Sequence, residues 1–201
     1  MRVLIITHSP SRGGTEKSAI TLALELKKNQ HDVLIVFTSS LDGPRKMALQ
    51  VSNIPFLLWT EETEICSVSM IKKFSPDAVS VQLVSDTGVV GKIRSHLPGA
   101  LFVETNPFPD ARESSKWGDY SIQLTEWCLV RYYEILEASC RKPAWVLGNP
   151  VDCANYYRES DTSNFKSKYQ IPEYSFYVGR LGQCSDQKWD TRMIDAFESL
   201  P

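Results

Sequence analysis

Apolar residues along this chain fall into short runs separated by longer stretches of mixed polarity. Val3 to Ile6 is an unbroken run of β-branched residues and leucine, the pattern of a strand covered on both faces. Glu16 to Lys28 follows with helical spacing. Ile20, Leu22, Ala23, Leu24 and Leu26 make a broad apolar face, while Glu25, Lys27 and Lys28 face water. "HDVLIVFT", from His31, reads as a second buried strand. Strand, helix and strand within ~35 residues predict a βαβ unit with parallel strands and a right-handed crossover.

The alternation continues downstream. "IPFLLW" (Ile54 to Trp59) predicts a strand and "ICSVSMIKKF" (Ile65 to Phe74) a helix. "PDAVSVQ" (Pro76 to Gln82) gives a short strand, and a helix follows near Gly88 to His96. "ALFVET" (Ala100 to Thr105) and "GDYSIQLT" (Gly118 to Thr125) are two more strands. "EWCLVRYYEILEAS" (Glu126 to Ser139) is a helix, and "AWVLGNPVD" (Ala144 to Asp152) holds the last strand of the set. Such alternation predicts an α/β fold, a doubly wound Rossmann-like parallel sheet with helices on both faces, over residues 1–150. Residues 151–173 turn polar and read as a linker with a short helix near Asn164 to Tyr169. Residues 174–201, "YSFYVGRL" and then "TRMIDAFESL", read as the first strand and helix of a second, incomplete domain.

Composition adds limits. The 201 residues are 42% apolar and 23% charged, with 22 basic against 24 acidic side chains, enough for a core and without the basic excess of a general nucleic-acid binder. Cys66, Cys128, Cys140, Cys153 and Cys184 are widely spaced, odd in number and contain no CxxC pair, which fits thiols in a reducing compartment rather than a disulfide framework or a zinc site. No apolar run approaches the ~20 residues of a membrane span, and the N-terminus lacks a signal-peptide pattern. These features predict a cytoplasmic protein, with peripheral membrane contact left open.

Two loops carry candidate chemistry. "HSPSRGGTEK" (His8 to Lys17) places Gly13 and Gly14 between the first strand and the first helix. Backbone N–H groups and the helix dipole there suit a phosphate, with Thr15 as the expected N-cap and Lys17 and Ser18 nearby. The plain alternative is a turn; the spacing is neither GxGxxG nor a P-loop. "GRLGQCSDQK" places Arg180 and Lys188 in one loop region, where two cations could neutralise a diphosphate or simply be solvated. No DxD-type pair and no His/Asp cluster at metal spacing occurs, so no metal is expected.

Taken in order, four stretches resemble family 4 glycosyltransferases, enzymes of the GT-B fold built from two Rossmann-like domains. The opening strand, GG-x-E loop, helix and second strand are similar to "MRVLIITHSPSRGGTEKSAITLALELKKNQHDVLIVFT". "GDYSIQLTEWCLVRYYE" sits where the family has a D-x-x-I-x-x-S strand and helix. "VLGNPVDCANYY" resembles I-P-N-G-V-D-x-x-x-F, with Pro150 where Gly is usual. "FYVGRLGQCSDQKWDTRMIDAFESL" resembles F-V-G-R-L…K-G…L-I-x-A-F, with Trp189 where Gly is usual.

The resemblance implies transfer of a sugar, usually with retention and without an essential metal or other cofactor, from a UDP- or GDP-sugar to an acceptor hydroxyl. Arg180 and Lys188 match the pair that binds the donor diphosphate and stabilises the leaving phosphate. Gly13 and Gly14 would lie against the donor phosphate or the acceptor, with Glu16 shaping their loop. Asn149 and Asp152 match the hinge between domains. Many relatives carry a His after the fifth strand; here "FVETNPFPD" offers Glu104 and Asn106 instead, and His8 ends the first strand. The implied partners are a nucleotide sugar and a glycan, lipid-linked or small-molecule acceptor. The family's second domain needs on the order of 150 residues, and its paired-glutamate motif is missing here. The chain is therefore expected to be the N-terminal, acceptor-side domain plus the start of the donor-side domain, inactive alone. A non-catalytic module that binds acceptor or partner, with the donor domain on a separate chain, is the alternative. An NAD-dependent epimerase or dehydrogenase fits less well, because the second strand ends in "VFTSS" without a ribose-binding acid.

Overall fold

The structure, a computed structural model, describes residues 1–82, 87–107, 116–151 and 163–172. Two units divide the chain, Met1–Tyr156 and Tyr157–Pro201. In the first, seven strands form one parallel sheet: β1 Arg2–Thr7, β2 Asp32–Phe37, β3 Phe56–Leu58, β4 Ala78–Gln82, β5 Leu101–Asn106, β6 Tyr120–Gln123 and β7 Ala144–Val146. The spatial order is β3-β2-β1-β4-β5-β6-β7. Helices α1 Gly14–Lys28, α2 Lys46–Val51, α3 Glu64–Phe74, α4 Thr87–His96 and α5 Glu126–Ile135 connect them. In the second unit the described residues hold one short helix, α6 Ser163–Lys168. No helix among the described residues is long and apolar enough to cross a membrane.

The expected α/β, doubly wound sheet is the fold observed. Parallel crossovers are right-handed, so reversing the direction of travel across a sheet sends successive helices to opposite faces. The chain moves one way through β1, β2 and β3 and the other way through β4 to β7. The side chains show the consequence. Val3, Ile5, Val33, Ile35 and Phe37 pack with Ala19, Ile20 and Ala23 of α1 and Leu49 of α2. Leu4, Ile6, Leu34, Val36, Val79, Val81 and Phe102 pack on the other face with Ile71 of α3 and Val90 and Ile93 of α4. Central strands β1 and β2 are buried on both faces, which is why they read as unbroken apolar runs.

Several boundaries differ from the sequence reading. Helix α1 begins at Gly14, and its N-cap is Gly13 without a side-chain cap bond, so Thr15 is a first-turn residue rather than the cap. Helix α2, unmarked by the apolar pattern, is six residues with one buried side chain, Leu49. Helix α5 stops at Ile135, four residues short of the expected end, because Leu136 turns to extended backbone. A single 3₁₀ turn follows at Ala138–Cys140. Elsewhere local chemistry sets the boundaries. Thr125 caps α5 by accepting from the Cys128 amide at 3.1 Å. Asp119 ties β5 to β6 and α4: its carboxylate accepts from both terminal nitrogens of Arg94 (2.6 and 2.8 Å) and from the Phe102 amide (2.8 Å).

Candidate active-site crevice

Ligands in open α/β sheets bind beyond the carboxyl ends of the strands, where the order reverses. Here that point lies between β1 and β4. The loop leaving β1 is the His8 to Gly13 stretch, so the glycine pair sits at the edge of the crevice that the topology creates. Its neighbour is the loop after β2. Thr38 donates its amide to the carbonyls of Thr7 (3.1 Å) and His8 (3.2 Å), and Ser39 donates to His8 (3.0 Å). Arg45 completes the clamp. Its amide donates to the Pro10 carbonyl at 3.2 Å. Its guanidinium donates to the carbonyls of Ser11, Arg12 (3.1 Å) and Gly13 (3.4 Å). Gly43 makes the approach feasible: a Cβ there would stand 2.2 Å from the Pro10 carbonyl oxygen. Three carbonyls turned toward one cation fix the loop that leads into α1.

The two glycines differ. Neither has positive φ, so the conformation itself does not demand glycine. A Cβ at Gly13 would meet the Glu16 carboxylate at 2.0 Å, because Glu16 folds back over the N-cap. A Cβ at Gly14 would meet nothing within 4 Å. The chain's own packing therefore leaves open space at Gly14, beside first-turn amides that α1 cannot satisfy internally. His8 is half-buried at the end of β1.

Glu104 and Asn106 lie on β5, both 3% exposed and both with interaction partners. Strand register sets Glu104 beside Ser121 and Asn106 beside Gln123 of β6. Ser121 and Gln123 are also buried, and Gln123 donates to Ser121 Oγ at 2.9 Å while its own Oε1 has no partner. This side of the sheet is thus a polar interior, with the Tyr132 hydroxyl of α5 accepting from the Lys142 amide at 2.9 Å. Burial, with the Glu104 charge nearby, pushes the Tyr132 phenol above its usual range.

On the opposite face, Ser80 and Gln82 of β4, Thr105 of β5 and Ile122 and Leu124 at β6 line a cleft of about 240 Å³ with the Leu147–Pro150 segment. Gln82 donates to Ser80 Oγ (3.0 Å) and Thr105 Oγ1 (3.2 Å), which orders its polar floor. Asn149, of the expected hinge motif, is part of this wall. Arg180, Lys188 and Asp152 lie outside the described residues. Among the described residues no group of three His, Cys, Asp or Glu is placed to hold a metal ion. The sequence reading missed Arg45. The only signal there was the turn-forming "DGP" before it, which marks a loop and not a clamp.

A switch-point crevice beside a fixed glycine loop is the architecture of a Rossmann-like α/β domain. Solved structures carry the comparison further. Anabaena Alr3699/HepE in complex with UDP-glucose matches all of this chain at 18% identity and a TM-score of 0.69. The same protein with UDP and glucose matches at 17% and 0.69, and the chain spans 58% of the length of that protein. The lipopolysaccharide outer core galactosyltransferase WaaB matches 75% of the chain, over 46% of its own, at 14% identity and a TM-score of 0.53. An α-glucosyltransferase in complex with UDP and a 13-mer DNA matches 79% of the chain, over 46% of its own, at 13% and 0.53. At these identities the shared property is the fold, that of the N-terminal half of a GT-B architecture. No protein-family model and no curated protein matches the chain.

Proposed function

We propose that this chain is the acceptor-side part of a glycosyltransferase of the family 4 type, which moves a sugar from UDP to an acceptor hydroxyl with retention. The observation that carries the reading is the Arg45-clamped loop at the switch point, with open space at Gly14. In support, structures bound to UDP or UDP-glucose match the whole chain in fold, and they favour UDP over GDP. In this reading the free amides at the start of α1 face a donor phosphate or the acceptor, and water is excluded as a donor domain closes over the loop.

Arg180 and Lys188 bind the diphosphate. Their charge acts most strongly as the glycosidic bond breaks and negative charge grows on the leaving phosphate oxygen. No metal is assigned to that task. Residues 151–173 act as the link between domains, with Asn149 and Asp152 at the hinge, and residues 174–201 begin the donor domain. The chain spans 58% of the HepE length, and this part alone is proposed to lack turnover.

Calorimetric titration of the chain with UDP, UDP-glucose and GDP tests the reading. Weak binding of the uridine ligands that falls at least tenfold in Gly14→Val, at an unchanged melting temperature, is expected. Equal binding of GDP, binding indifferent to Gly14→Val, or no binding at millimolar UDP would each overturn the donor role of this loop. Robust transfer by the chain alone would overturn its assignment as an incomplete enzyme.

A further inference from the structure

A second concavity opens on the same edge of the sheet. Its walls come from the loop after β2 (Thr38), the turn after β3 (Thr60 and Glu61), and the facing starts of α3 and α4 (Glu64, Gly88 and Lys92). Its volume is about 400 Å³, within the roughly 300–1,000 Å³ typical of small-ligand sites. Trp59 and Val89, both buried, form an apolar floor.

The polar rim is held in place. Thr63 Oγ1 donates to the Leu58 carbonyl at 2.8 Å and accepts from the Thr60 amide at 2.9 Å, which fixes the turn that carries Glu61. Lys92 Nζ sits 2.6 Å from Glu64 Oε2, joining α3 to α4 across the opening. Thr38 is bonded to the end of β1 through the Thr7 and His8 carbonyls. The concavity and the glycine loop are therefore neighbours on one rigid edge.

The chemistry of the rim selects a ligand class. Carboxylates only accept hydrogen bonds, an ammonium only donates, and threonine hydroxyls do either. Such a mixture around an apolar floor suits a pyranose, which shows hydroxyls at its edge and C–H groups on its face. The lining carries Glu61 and Glu64 against Lys92, one negative charge in excess. That sign opposes phosphate and carboxylate ligands and favours an amine.

We infer that this concavity is a subsite for a sugar unit of the acceptor that bears no acid group, an amino sugar being preferred over a neutral one. The inference rests on the glycosyltransferase reading for the word acceptor, but not for the binding itself. Saturation-transfer NMR and calorimetry with methyl glucoside, methyl glucosaminide and methyl glucuronide test it. The glucosaminide should bind up to about fivefold tighter than the glucoside, as one exposed ion pair allows, and the glucuronide should bind weaker than the glucoside by a similar factor. Glu61→Gln should erase the preference for the amine while the neutral sugar still binds. Lys92→Met should weaken both sugars and leave UDP binding unchanged. Gly14→Val should leave all three sugars unaffected, so failure at the glycine loop and failure here are distinguishable. Binding of the glucuronide equal to the others, no binding of any sugar at tens of millimolar, or a preference that survives Glu61→Gln would overturn the subsite.

Discussion

Replacing Arg45 with alanine isolates what holds the glycine loop. The side chain is only partly buried, yet its guanidinium meets three successive carbonyls, those of Ser11, Arg12 and Gly13. A hydrogen bond with one charged partner contributes ~1.5–3 kcal/mol where water is excluded. Three bonds sharing one partly solvated cation do not add, so a total of about 2 kcal/mol is reasonable for the set. At about 1.4 kcal/mol per tenfold, that corresponds to roughly 30-fold in the ratio of closed to open loop.

Amide hydrogen exchange reads this directly. Exchange at Gly13 and at position 45, whose amide is bonded to Pro10 in the native loop, should accelerate about 30-fold in Arg45→Ala. Amides of Ile5 and Ile35 in the central strands should be unchanged under local-opening conditions. Arg45→Lys should recover only part of the protection, because an ammonium lacks the planar fork that spans adjacent carbonyls. Unchanged exchange at positions 13 and 45 would refute the clamp. So would equal acceleration in the strands, which would mean that Arg45 contributes to global stability and not to the loop.

Two further outcomes follow from the same geometry. The Arg94 guanidinium, followed by the Phe102 amide, holds the Asp119 carboxyl below the usual aspartate range despite partial burial. A depressed folded-state value means that stability is present above the unfolded aspartate value, about 3.9, and is lost as pH falls through the lower folded value. Asp119→Asn should therefore lower stability at neutral pH and flatten the acid limb below about pH 4 in urea melts; an unchanged acid limb would contradict the role. Ser75 closes α3 with φ of 51°, where a Cβ is strained and glycine is not. Ser75→Gly should raise stability by a few tenths to about 1 kcal/mol, net of the extra freedom of glycine in the unfolded chain, and a loss in denaturant midpoint would argue against strain there.

What the linear pattern determined was the βα alternation, and through it the parallel sheet. Val3 to Ile6 and Val33 to Phe37 are buried on both sides, so each had to read as continuous apolar sequence whatever its neighbours turned out to be. The pattern also located the glycine loop, because a strand that ends in His8 and a helix that starts by Glu16 leave only those residues between them. Where burial is polar, the pattern faded. Glu104, Asn106, Ser121 and Gln123 are all inside, yet as letters they resemble a strand end facing a cleft. Only neighbours across β5 and β6 and the cover of α5 made that interior.

Long-range contacts were equally invisible. Arg45 lies 32 to 34 residues from the carbonyls that it holds, and Lys92 lies 28 from Glu64. Periodicity records which face of an element is apolar; it holds no record of which loops meet. The sheet decided that: parallel pairing puts the loops after β1, β2 and β3 and the start of α4 on one edge, and the order β3-β2-β1-β4 makes them neighbours there. The glycine pair was thus written in the sequence, but the arginine that fixes it and the sugar-sized hollow beside it exist only once the sheet has closed in that order.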